Sequence, residues 1–262
     1  MIIDSFIIMR KEFDEVLRNK YILSTMASFP LVFSVAIPLI YLITLPVNIS
    51  AADVSMFQGL VAGFDSMTPR QVLIYYIVQS NLPFYLMMPA VIPTLISSYS
   101  IVGEKKGGTL EPLLATPVSS RDVLFGKSLA AVVPSVLITW VSFGIYAALV
   151  NYMTHGIFGH AILPDSLWII SVGITAPLLS LMSVYACILV SSRITDVRAA
   201  QQVSAVFVVP IMALFILQLF GYVALSFEAM ASFSVMLGVV DLFLIWAGTK
   251  VFKREEILTR WA

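Results

Sequence analysis

The chain has 262 residues, 60% of them hydrophobic without counting glycine and 11% charged, with 15 basic and 15 acidic side chains that cancel. A soluble globular domain carries about 25% charged residues, so this chain has too little ionic surface to keep a core of its size in water. The cancelled charge gives no general attraction to nucleic acid or to acidic partners. An integral membrane protein is the class that composition leaves.

Residues 1–20 mix Asp4, Glu12, Asp14 and Glu15 with Arg10, Lys11, Arg18 and Lys20. That mixture fits no cleavable signal peptide, so the segment is expected to stay in the mature protein. Within it Phe6, Met9, Phe13, Val16, Leu17 and Lys20 recur at spacings of three and four, with Lys11, Asp14, Glu15 and Arg18 on other faces. The pattern predicts an amphipathic helix along the inner leaflet, its basic residues near the lipid head groups. The alternative is a cytoplasmic extension of the first span.

Six apolar stretches follow, at about 21–46, 82–102, 128–150, 166–191, 202–222 and 230–249, each near the roughly 20 helical residues that cross a hydrocarbon layer of about 30 Å. Their apolar character is continuous rather than alternating, which disfavours a barrel. The expected fold is therefore all-α: an N-terminal helix at 1–20, a six-helix transmembrane domain at 21–250 and a tail at 251–262. Every Lys and Arg except Arg70 falls on one side of these spans. Because basic residues gather on the cytoplasmic side, both termini are expected there, in the cell membrane.

Prolines are frequent in the spans: Pro30, Pro38 and Pro46, then Pro83, Pro89 and Pro93, then Pro134, Pro177 and Pro210. Each removes a backbone donor and crowds the carbonyl four residues earlier, which predicts kinks or local unwinding that shape packing. The external region 47–81 reads either as an amphipathic helix feeding the second span or as the beginning of that span, bent at Pro83. Trp168 and Trp246 are expected as interfacial anchors, and Cys187 as a packing residue. His155 and His160 have no nearby cysteine or carboxylate set and make a weak metal signal.

The most informative polar segment is 102–127, VGEKKGGTLEPLLATPVSSRDVLFGK. Gly107 and Gly108 allow a tight turn with positive φ, and Thr109 can cap a short helix whose apolar face is Leu110, Leu113 and Leu114. Pro112 falls in its first turn and Pro117 stops it. Ser119 or Ser120 then caps the helix entering the third span. Such a helix either docks another protein or packs back on the bundle.

The run Glu104 to Glu111, then Leu113 to Val118, closed by Gly126-Lys127, resembles the signature segment of ABC-2 type transporter permeases, and the similarity extends over essentially the whole chain. The resemblance implies a transmembrane subunit of an ATP-driven exporter, pairing with a second permease subunit as a homodimer and with two cytoplasmic ATP-binding cassette subunits that hold ATP and Mg. It also implies that Glu104, Gly108, Thr109, Leu110, Glu111, Leu113 and Leu114 couple to the ATPase. The chain itself has no GxxxxGK[ST] phosphate cradle, so ATP hydrolysis is expected in the partner subunit with no cofactor held here, and a membrane-embedded enzyme is disfavoured because no span carries the paired polar groups or metal cluster that hydrolysis needs.

Within the spans Asp241 is the deeply placed carboxylate, and its cost in hydrocarbon predicts a side chain facing the bundle or a water-filled path. Its readings are cation or proton contact, or a polar packing contact. Glu228 and Gln218 are further candidates for the translocation path. A membrane docking or assembly protein that moves no solute is the alternative function.

Overall fold

The computed structural model describes residues 2–46, 48–61, 63–109, 118–191, 196–204, 206, 209–220 and 225–251. Hydrocarbon offers no hydrogen bonds, so an apolar run is stable there only if its backbone pairs within itself, and the described residues are helical accordingly. The order is α1 Ile2–Arg18, α2 Lys20–Phe29, α3 Ile37–Thr44, α4 Ala51–Val54, α5 Pro69–Ser80, α6 Leu82–Lys106, α7 Ser120–Phe158, α8 Ser166–Ile170, α9 Ala176–Ser191, α10 Val197–Ser204, α11 Val209–Leu219 and α12 Phe227–Val251.

Among the described residues five helical runs are long and apolar enough to cross a membrane: Lys20–Thr44, Pro69–Glu104, Arg121–Phe158, Ser166–Ser191 and Phe227–Lys250. The stretch expected at 202–222 contains part of α10 and the 11-residue α11. Residues 205, 207, 208, 221 and 222 of that stretch lie outside the described residues. Helix α7 has 39 residues, about 58 Å, and outruns its apolar centre at both ends.

Two prolines act through the turn that precedes them. The segment Pro30–Ala36 widens to a π-helix before Pro38, with the Ile37 N–H reaching the carbonyl of Val32, and Ser171–Thr175 widens before Pro177, with the Ala176 N–H reaching Ser171. A wide turn gives the carbonyl four residues before the proline room to move aside. Pro89, Pro93 and Pro134 lie inside uninterrupted α-helix.

The chain turns at Asn19, whose side chain accepts hydrogen bonds from the N–H groups of Tyr21 and Ile22 and caps α2. Hence α1 is a separate helix rather than an extension of the first span. It packs on α7. Its buried stripe is Ser5, Ile8, Glu12 and Val16, one position round the helix from the expected apolar face, and Phe6 and Leu17 stay exposed. Gly126 makes the close approach possible: a Cβ there would stand 2.7 Å from the Ser5 carbonyl oxygen and 3.0 Å from the Ile8 side chain.

Within region 47–81 the described residues form α4 and α5, and α5 runs on through a turn at Asn81 into α6 as the helical run Pro69–Glu104. Thr68 and Gln71 form a capping box, Pro69 opens α5, and the turn at Asn81 leaves Pro83 in the first turn of α6, where it does no damage. The interior is organised around Trp168, Tyr85 and Tyr146, each fully buried. Their rings lie 5.2–5.3 Å apart, and Phe143 stacks on Trp168 at 5.1 Å. Every polar tip in this group is satisfied: Tyr85 donates to Ser34 Oγ, Tyr146 to the Val78 carbonyl, and Trp168 Nε1 to Gln79 Oε1. Trp168 is thus a core residue and not the expected interfacial anchor. Trp246 is exposed, with the Lys250 ammonium 3.7 Å above its ring.

Candidate functional site

The loop between α6 and α7 leaves and returns through two adjacent helix ends. On the leaving side the Gly107 N–H bonds the Gly103 carbonyl, Gly108 adopts φ +65°, and the Thr109 N–H turns back to the Glu104 carbonyl, which closes α6 with the left-handed glycine that such an ending requires. On the returning side Ser119 caps α7 by accepting from the Asp122 N–H. Leu110, Glu111, Leu113 and Leu114 lie outside the described residues.

Between these ends is a buried cluster of charges. Lys127, 4% exposed, places its ammonium 2.6 Å from Glu12 Oε1, 2.9 Å from Glu104 Oε2 and 2.8 Å from Ser100 Oγ. Lys11 closes the group from α1, 2.8 Å from the other oxygen of Glu104 and 3.1 Å from Glu15. Glu104, 7% exposed, therefore bridges a lysine of α1 and a lysine of α7 across the root of the loop. Two lysines and two buried glutamates cancel, which is the condition for holding them out of water.

The neighbours set the protonation states. Burial is the largest single influence on Glu12 and would raise its carboxyl, but the charge and hydrogen bond of Lys127, with Ser100 and Lys11, hold it below the ordinary carboxylate range. Burial would likewise lower Lys11, and Glu104, Glu12 and Glu15 together outweigh it and raise the ammonium above its ordinary value. Both groups are charged at neutral pH.

The three candidates for a translocation path lie apart. Asp241, 3% exposed, falls seven residues from both Ser234 and Gly248 on α12, hence on the same face. Ser234 exchanges a 2.7 Å hydrogen bond with Thr175, and a Cβ at Gly248 would meet the Tyr185 ring, so this face packs against the Ser171–Ser191 helix. Neither oxygen of Asp241 has a hydrogen-bond partner among the described residues. Glu228 is exposed in the first turn of α12, about 20 Å along the helix from Asp241. Gln218 is buried at the end of α11, beside Gln79 and Tyr76.

The pairing of Glu12 with Lys127 is not anticipated by the sequence reading. Its signal is a carboxylate four residues from Ile8 and four from Val16, inside an otherwise apolar stripe.

A bundle of long apolar helices, with Glu12, Glu104 and Lys127 buried together at one loop root, defines a multi-pass α-helical membrane protein. Among the described residues no group of three or more His, Cys, Asp or Glu side chains could hold a metal. Residues 6–247 match the family described as ABC-2 family transporter protein, and the chain belongs to that family. Members are non-catalytic transmembrane subunits, which gives this chain a place in transport without chemistry of its own. No curated protein matches the chain.

Proposed function

We propose that the chain is the permease subunit of an ATP-driven exporter, in which the 102–127 loop receives the movement of a cytoplasmic ATP-binding cassette subunit and passes it to α6 and α7. The observation that carries this reading is Lys127 tied to both Glu12 and Glu104, because it makes the two ends of the loop and α1 one body. A push on the loop then moves three helices together instead of being lost in a hinge.

In this account Leu110, Leu113 and Leu114 fill an apolar groove of the ATPase, with Gly108, Thr109 and Glu111 at its edges, and Glu104 sets the base. The working unit is a homodimer of this chain with two ATPase copies, which carry ATP and Mg. The segment 202–222 supplies a sixth crossing, α1 lies along the inner leaflet, and both termini are cytoplasmic. Asp241, Glu228 and Gln218 belong to the substrate path; normal transport by both Asp241→Asn and Asp241→Leu would remove Asp241 from it.

The coupling test replaces Leu110, Leu113 and Leu114 by alanine in the chain co-expressed with its ATPase. Membrane insertion is expected to be unchanged, with association and permease-stimulated ATP hydrolysis lost. Wild-type stimulation in that variant would overturn the assignment.

A further inference from the structure

At the end of the bundle away from α1, the start of α8, the last turns of α5, the end of α11 and the residues leading into α12 enclose a cavity of about 350 Å³. That volume is in the range of small-molecule sites. We propose that this cavity binds a primary ammonium group carried on a small apolar or aromatic body.

The polar lining offers acceptors and a negative charge. Asp165 Oδ1 accepts the Trp168 N–H at 2.9 Å, and Oδ2 accepts from Tyr75 at 3.2 Å and from Gln79 Nε2. No Lys, Arg or His forms an ion pair with Asp165 among the described residues. Its charge is hydrogen-bonded yet not neutralised.

Gln218 supplies the second, independent observation. It is 5% exposed and lines the cavity, with Nε2 directed to the Gln79 carbonyl at 3.4 Å. Its Oε1 is buried without a hydrogen-bond partner among the described residues. A buried acceptor left unfilled is unfavourable, and a donor on a ligand removes that penalty. The donors nearby are already used: Tyr75 on Asp165, Tyr76 on the Gln218 carbonyl and Trp168 Nε1 on Gln79.

Ligand class follows from these groups. An unneutralised carboxylate favours a cation, and the open Gln218 oxygen favours one that carries hydrogen-bond donors, so a primary ammonium fits better than a trimethylammonium, which has none. Tyr75, Leu225 and Phe227 also line the cavity and can receive an apolar body. A bare divalent ion would meet a single carboxylate in this lining and would make no use of its apolar side.

The ammonium can come from a free amine or from a lipid head group such as phosphatidylethanolamine. The test uses the full-length chain in phosphatidylcholine nanodiscs at pH 7, titrated calorimetrically with n-hexylammonium and, separately, with hexyltrimethylammonium. Saturable binding of hexylammonium at one site per chain is expected. It should weaken about tenfold for the trimethyl compound and at least tenfold in Asp165→Asn, which keeps the cap acceptor of α8.

Gln218→Leu, which leaves Asp165 untouched, should also weaken hexylammonium severalfold and decides the matter if Asp165→Asn does not fold. Competition when phosphatidylethanolamine is added to the disc would support the site with a lipid as its source, and unchanged binding would support it with a free amine. The absence of saturable binding, equal binding of the two cations, or wild-type affinity in both variants would overturn the proposal. No ATP or partner subunit is present, so failure here leaves the coupling account untouched, and failure of coupling leaves this site standing.

Discussion

Replacing Lys127 by methionine keeps most of the side-chain volume and removes the charge that Glu12 and Glu104 share. All three side chains are at least nine-tenths buried, so water cannot take the place of the ammonium, and Lys11 alone is left to face two carboxylates. Removing one member of a buried ion pair costs about 3–5 kcal/mol. At about 2–4 °C per kcal/mol for a chain of this size, melting should fall by roughly 6–20 °C. Tryptophan fluorescence of the protein in detergent measures this directly.

The double variant Glu12→Gln with Lys127→Met restores a near-neutral cluster and should recover much of the loss, because the cost lies in the unpaired charge and not in the missing contact. Single variants as stable as wild type, or a double variant whose loss is the plain sum of the two, would refute the idea that these groups act as one buried unit.

The same cluster predicts an acid limit. The folded carboxyl of Glu12 lies below its ordinary value of 4.5, so its stabilising effect is complete above that pH and disappears as pH falls through the lower folded value. The melting-temperature difference between wild type and Glu12→Gln should be level from pH 7 to about 5 and then shrink; a difference that does not shrink would contradict the assignment. Gly126→Ala should force α1 away from α7, since the Ser5 carbonyl stands 2.7 Å from the added atom, with a cost of about 1–3 kcal/mol. Faster tryptic cleavage at Arg10 or Arg18 reports that release, and unchanged protection would contradict the packing.

What was legible in the sequence was what is local. Long apolar runs, the Gly107-Gly108 turn and the serine cap before α7 are written in neighbouring residues: five runs are long enough to span among the described residues, Gly108 has the positive φ, and Ser119 is the cap. The charge cluster joins residues 115 positions apart, and no spacing rule connects Glu12 to Lys127. Trp168 looked like an anchor because it follows Pro164 at a span end. Its indole is instead drawn inward by Gln79, on a helix whose approach depends on tertiary packing.

Hydropathy also blurs where helices begin. The apolar centre of α7 is visible, while its polar first turns and its far end are not. The 202–222 stretch reads as one span from its apolar residues, and the structure describes it in part, as the end of α10 and as α11. Of the proposed path residues, the sequence identified Asp241 and Gln218 as polar groups in apolar surroundings, and both are buried. Their separation along the bundle depends on three-dimensional packing that the linear pattern does not encode.

A single reactive thiol within the 102–127 segment tests the central claim most directly. Leu113→Cys is made in a Cys187→Ser background and co-expressed with the ATP-binding subunit. The account predicts labelling by an impermeant maleimide only from the cytoplasmic face, protection by the bound ATPase, and a short bifunctional cross-link to that subunit whose yield changes with nucleotide. Labelling from the outer face, or full reactivity with the ATPase bound, would contradict it.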